Sequence, residues 1–172
     1  LPYTIRHAIE TDLACLSDIE QHAAVRFAPY KLDKTMSTIV TPYDAFVEGL
    51  TEGLLWVAAD DNDRPVGFAL ACVVGNTVHL DELDVLPEHG RRGLGTRLVE
   101  TVCDWARTNH YQAITLTTLS HIPWNRPWYE RQGFRVLSPH EYTPLQAMLL
   151  QTDIIRGLQH KNRVIMRREL VA

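Results

Sequence analysis

Along the chain, apolar and polar residues alternate in blocks whose period switches between about two and about 3.6, the repeats of strand and helix. Tyr3–His7 alternates and predicts a short strand. Leu13, Leu16, Ile19 and Ala23 recur at helical spacing behind Thr11 and Asp12, either of which can cap a helix. From about Ala28 to Thr41 no period holds, and Pro29 and Pro42 punctuate a loop. Tyr43–Leu50 predicts a second helix closed by Gly53. Leu54–Ala59 and Pro65–Val74 predict a hairpin around the polar tip Asp60-Asp61-Asn62-Asp63, and Gly75-Asn76 turns the chain into a third strand, Thr77–Val85. A glycine-rich turn, His89–Gly95, then opens a long helix with Leu94, Leu98, Val102 and Ala106 on one stripe. Ala113–Thr118 is rich in β-branched residues and predicts a strand. A short helix is expected at about Arg126–Gln132, with Asn125 placed to cap it, Pro127 in its first turn and Gly133 closing it. Phe134–Leu137 predicts a strand, Glu141–Gly157 a helix and Asn162–Arg168 a last strand. The order β, α, α, three meander strands, then α, β, α, β, α, β is that of a mixed α/β (α+β) protein. No repeat, linker or low-complexity tract divides it, so residues 1–172 are expected to form a single domain.

One strand breaks its own rule. In Thr77–Val85 the apolar residues are Val78 and Leu80, then Leu83 and Val85, so the phase slips by one at Asp81-Glu82. An extra residue there, a β-bulge, would return both halves to one face; a strand buried unevenly on both faces is the alternative. A bulge would leave backbone groups unpaired and open to an extended, amide-bearing ligand.

Composition narrows the class of function. The chain has 172 residues and a formal net charge of −4, which gives no support to nucleic-acid binding. No apolar run approaches the ~18 residues of a membrane span, and no basic stretch followed by an apolar core announces a secretory leader. The three cysteines, Cys15, Cys72 and Cys103, have neither disulfide-framework nor zinc spacing, and a reducing, cytoplasmic setting is expected. His89, His121 and His140 share no metal-ligand spacing, so no metal is expected.

The glycine turn is the main chemical signal. Gly90, Gly93 and Gly95 let a ligand approach the backbone just where a helix N-terminus presents its amides, a natural seat for phosphate or pyrophosphate. No Gly-Lys-Ser/Thr follows, so it is not a P-loop, and G-x-x-G-x-G reverses the dinucleotide-binding spacing. The stretch Leu83–Leu98 resembles the signature Q/R-x-x-G-x-G/A of the GNAT superfamily of acyl-CoA-dependent N-acetyltransferases, with Gly90 at the first position of that signature. A second GNAT motif, an asparagine ahead of Tyr-x-x-x-Gly-Phe, is similar to Asn125 followed by Trp128-Tyr129-Glu130-Arg131-Gln132-Gly133-Phe134. The order of elements agrees over nearly the whole chain.

The resemblance implies a mostly antiparallel central sheet with helices on both faces and a bulged central strand. It implies direct transfer of an acetyl group from acetyl-CoA to a primary amine, without a covalent enzyme intermediate. The pyrophosphate would rest on Arg91, Arg92, Gly93, Leu94, Gly95 and Thr96, and the pantetheine arm would thread between splayed strands. Backbone amides from Leu83 to Val85 are the oxyanion candidates, and Asn125 and Trp128 further cofactor contacts. Tyr129 is the candidate acid, because a phenol of pKa ~10 suits an alkyl thiolate. Glu82 is the candidate base, with His79, Asp81, Glu20 or an ordered water as alternatives. Some members carry a glutamate base where this chain has Thr117. The acceptor, with a small molecule slightly favoured over a protein, would be met by residues 20–50 and 138–151. A catalytically inactive CoA-binding sensor is the alternative, and a homodimer joined through the C-terminal strands is a further expectation.

Overall fold

The computed structural model describes residues 3–30, 40–155 and 163–170. Most of the loop expected from Ala28 to Thr41, part of the expected acceptor region and the last residues of the helix expected to reach Gly157 lie outside these residues, as does Asn162. Among the described residues, seven strands and five α-helices follow the predicted order: β1 Thr4–His7, α1 Leu13–Ala24, α2 Tyr43–Glu52, β2 Leu55–Ala59, β3 Pro65–Val74, β4 Thr77–Val85, α3 Leu94–Thr108, β5 Ala113–Leu119, α4 Asn125–Arg131, β6 Arg135–Val136, α5 Pro144–Ile155 and β7 Arg163–Glu169. The strands form one sheet in the order β1-β2-β3-β4-β5-β7-β6. Pairings β1–β2, β2–β3, β5–β7 and β6–β7 are antiparallel, while β4–β5 is parallel, so the mixed, mostly antiparallel sheet is observed.

The chain divides into two compact units, Leu1–Cys72 with Asp81–Val102, and Val73–Leu80 with Cys103–Ala172. In the first, Leu13, Leu16 and Ile19 of α1 and Phe46 of α2 bury against Leu55, Val57, Phe68 and Leu70 of the sheet. Phe46 meets Phe68 edge to face at 5.5 Å between ring centroids. The helical spacing of the α1 residues is what puts them on one buried stripe. In the second unit, β5 pairs with β7 from Ala113↔Glu169 to Leu119↔Arg163, burying Ile114, Leu116, Ile165 and Met166.

The phase slip of β4 shows as a change of burial. Thr77, Val78, His79 and Leu80 are all buried, Asp81 is exposed, residues 82–84 are half-buried, and Val85 is buried again. The register with β5 runs from Thr77↔Ala113 to Leu80↔Leu116. Among the described pairings, a register irregularity lies between β2 and β3, where Ala58 faces Gly67 and Ala59 faces Pro65, leaving Val66 as the extra residue. The hairpin tip is held by Asp60, whose carboxylate accepts the Asn62 and Arg64 amides at 2.9 and 3.0 Å.

Two expected caps act differently. Asp12 makes no side-chain bond to the start of α1. Its carboxylate accepts the Ile9 amide at 2.9 Å and two Arg6 nitrogens at 2.6 and 3.2 Å, closing the 3-10 turn that precedes the helix. Asn125 is the first residue of α4 rather than its cap, and its side-chain nitrogen donates to the Thr118 hydroxyl at 2.8 Å.

Candidate active site

The first unit carries the anion turn. Leu86 donates its amide to Val66 at 2.9 Å, a 3-10 turn spans Pro87–His89, and the Gly90 amide returns to the Pro87 carbonyl at 3.1 Å. The backbone then enters the left-handed region at Arg91, φ 57°, and again at Gly93, φ 77°. Such alternation turns successive N–H groups to one side, the geometry that gathers anions. Leu94 is buried and roots α3, whose ladder includes the Arg97 amide donating to Gly93 at 3.0 Å. The amides of Leu94, Gly95 and Thr96 therefore have no partner inside the helix and lie at its positive end. A Cβ added to Gly93 would meet nothing within 4 Å, so the approach to the turn is open there. This donor set suits a diphosphate.

Tyr3 organises the side chains around the turn. Its hydroxyl is hydrogen-bonded to Nδ1 of His89 at 2.9 Å, its carbonyl accepts Arg97 at 2.9 Å, and the Arg92 guanidinium lies 5.9 Å from its ring centroid. Arg91 and Arg92 are exposed.

Upstream in the same unit, the end of β4 is tightly fixed. A Cβ on Gly67 would lie 2.7 Å from the Asp84 carbonyl oxygen and 2.9 Å from a Val85 methyl, so only glycine lets β3 come this close. The Val85 carbonyl accepts Arg26 at 2.7 Å. Glu20 is buried and receives the Thr41 amide on both oxygens, at 3.0 and 2.9 Å, and the Thr41 hydroxyl at 3.2 Å. Burial in the first place, with the negative charge of Glu20 adding to it and Arg26 partly opposing, pushes the Asp84 carboxyl up to about 7. Glu82 is half-buried, two residues from Asp84 and so on the same strand face.

The other base candidates are differently placed. His79 belongs to the second unit, buried, with Nδ1 2.9 Å from the Thr115 hydroxyl. Burial, helped by the charge of Arg163, lowers its pKa to about 4, so the ring stays neutral. Asp81 is exposed and hydrogen-bonds the Cys72 thiol, which burial in the first place holds protonated.

The second unit carries the other motif. Asn125, Trp128 and Tyr129 stand together on α4, all half-buried. The Tyr129 ring packs edge-on against Trp128 at 4.9 Å and Phe134 at 5.8 Å, and the Phe134 amide donates to the Tyr129 carbonyl at 3.1 Å. The Thr117 hydroxyl on β5 is buried without a hydrogen-bond partner. Among the described residues no group of three or more His, Cys, Asp or Glu is placed to hold a metal ion, and no helix is long and apolar enough to cross a membrane.

The sequence reading passed over Tyr3, Arg26, Gly67 and Asp84. Asp84 stood inside the stretch that carries the resemblance, but burial of a strand carboxylate depends on the helix packed over it. Tyr3 and Arg26 reach the turn across long sequence separations that no local pattern reports.

Comparison with known proteins agrees with this geometry. The profile of the Acetyltransferase (GNAT) family matches residues 16–134. The chain is 31% identical over 122 residues to a peptidyl-lysine N-acetyltransferase, YjaB, of Salmonella typhimurium, covering 66% of this chain and 76% of that protein. Its fold is similar to the PaiA N-acetyltransferase of Thermoplasma acidophilum in complex with coenzyme A, with a TM-score of 0.75 at 13% identity over 98% of this chain and 99% of that one. It is also similar to the ribosomal-protein-S18-alanine N-acetyltransferase of Escherichia coli, with a TM-score of 0.71 at 20% identity over 99% and 96% of the two chains. With that profile laid over the anion turn and both motifs, the chain belongs to the GNAT family of acetyltransferases and is an acyltransferase.

Proposed function

We propose that this protein transfers the acetyl group of acetyl-CoA to a primary amine, on a small molecule or on a protein lysine. The observation that carries the reading is the turn from Gly90 to Thr96, with left-handed backbone at Arg91 and Gly93 opening directly onto α3. In this reading the amides of Arg91–Thr96 hold the cofactor's diphosphate, and Asn125 and Trp128 are further contacts with it. The amides of Leu83 and Val85 face the thioester oxygen and stabilise the charge that develops there. Tyr129 gives its phenolic proton to the departing sulfur, matching a donor of pKa ~10 to a thiolate of similar basicity. A carboxyl of β4, Glu82 being the sequence candidate, takes the amine proton. Residues 1–172 act as one functional domain. A cytoplasmic setting goes with the free thiols of Cys15, Cys72 and Cys103, and the partners are acetyl-CoA, the amine acceptor and, in the homodimer, a second copy.

The peptidyl-lysine relative supports a protein acceptor, whereas the sequence alone leaned slightly to a small molecule. Calorimetric titration with acetyl-CoA, followed by thiol release in the presence of small amines and lysine peptides, tests the reading. Saturable binding with amine-dependent thiol release is expected. Binding without release on any amine would favour a CoA-binding sensor, and no binding would overturn the reading.

A further inference from the structure

We propose that Tyr3, beside β1, is a positioning residue that holds the anion turn in the shape acetyl-CoA needs. The inference rests on the acetyltransferase reading above and adds to it the residue that keeps the diphosphate seat in place.

Every group concerned belongs to the first unit. Tyr3 grips the turn on both flanks. Ahead of the turn, the Tyr3 hydroxyl is hydrogen-bonded to Nδ1 of His89 at 2.9 Å, and the two rings meet edge-on at 5.7 Å between centroids. Behind it, Arg97 donates to the Tyr3 carbonyl at 2.9 Å. In between, the Arg92 guanidinium lies 5.9 Å from the centroid of the Tyr3 ring, within cation–π range. A single residue therefore meets positions 89, 92 and 97, which bracket the amides of Arg91–Thr96. Tyr3 is itself backed by a fixed strand. Its neighbour Thr4 pairs with Ala59 of β2, and Arg6 of the same strand donates to Asp12 at 2.6 Å and to Asp63 at 2.8 Å.

The turn requires such a hold. Arg91 takes φ 57°, a conformation that is costly for a residue with a Cβ and persists where its surroundings over-determine it. Its side chain is exposed, so core packing does not impose that backbone. His89 two residues before it and Arg92 one residue after it are both held by Tyr3. A seat whose amides already face one way loses less conformational freedom when the ligand arrives. The contribution of Tyr3 thus falls on cofactor affinity, and the transfer step uses none of its atoms.

Calorimetric titration of the full chain with acetyl-CoA tests this without an acceptor. Tyr3→Phe keeps the ring beside Arg92 and the carbonyl that Arg97 meets, and removes the hydroxyl alone. Its affinity should fall about three- to tenfold, the range for one hydrogen bond. In a His89→Ala background the hydroxyl has lost its partner, so the same substitution should change affinity by less than about twofold. Nitrogen relaxation NMR of the unliganded chain should show more backbone mobility at Arg91–Gly93 in Tyr3→Phe than in the wild type. In steady-state assays with the best amine of a panel, KM for acetyl-CoA should rise with the loss of affinity while kcat holds. Wild-type affinity in Tyr3→Phe, an equal loss in both backgrounds, turn amides no more mobile than before, or a fall in kcat at unchanged KM would each overturn the proposal and leave the acetyltransferase reading intact. Failure of the wild-type chain to bind acetyl-CoA would overturn both.

Discussion

Single residues divide by what fixes them. Gly93 has open space beside it, so the cost of a side chain there is conformational: an L residue at φ 77° strains the backbone. Gly93→Ala should lower stability by about 1–2 kcal/mol in denaturant titration, and should weaken acetyl-CoA binding at least about tenfold because the new methyl stands in the ligand's approach. Equal affinity in variant and wild type would move the anion site elsewhere. Tyr129 is a different case, since its ring is already packed by Trp128 and Phe134. Tyr129→Phe preserves that packing, so a large loss of turnover, about a hundredfold, with unchanged acetyl-CoA affinity would isolate the hydroxyl. Unchanged turnover would return Tyr129 to a packing role. Both residues were candidates from the sequence because turn chemistry and motif spacing are local. Asp84 was not, because a carboxyl on a strand looks the same whether its helix neighbour is a leucine or a buried glutamate.

Elements were legible where their periodicity was long and lost precision where short turns intervened. The stripe Leu94, Leu98, Val102 and Ala106 placed α3 correctly, and all four are buried. The helix expected from Glu141 begins instead at Pro144, because Pro139–Glu141 makes a separate 3-10 turn closed by Glu141 accepting the Ser138 amide at 2.8 Å. Thr143 and Gln146 then exchange backbone-to-side-chain bonds at 3.0 and 3.2 Å, a reciprocal cap written in the sequence as Thr-Pro-Leu-Gln. The slip in β4 was visible as a change of burial, and among the described pairings a register irregularity lies between β2 and β3, at Val66. What presses β3 onto β4 is Gly67, whose missing side chain lets two backbones meet. Gly67→Ala should therefore destabilise the protein by about 1–3 kcal/mol. An unchanged denaturation midpoint would mean that β4 can shift to accept the methyl.

For the molecule as a whole, His79 and Asp84 set opposing pH dependences. The folded His79 titrates at about 4, below its model-peptide value of 6.5, so its contribution to stability is complete above pH 6.5 and is lost as pH falls through 4. The folded Asp84 titrates at about 7, above its ordinary 3.8, so its contribution is complete below pH 3.8 and is lost as pH rises through 7. Asp84→Asn should then raise the thermal midpoint more at pH 8 than at pH 4, and an equal change at both would contradict the assignment. Neither shift follows from a net charge of −4, because each arises from neighbours the fold supplies. The central claim concerns the backbone amides of Arg91–Thr96. Amide proton–nitrogen NMR during an acetyl-CoA titration addresses it most directly. The account predicts the largest, saturable shifts at those six residues; saturable binding that leaves them unmoved would contradict it.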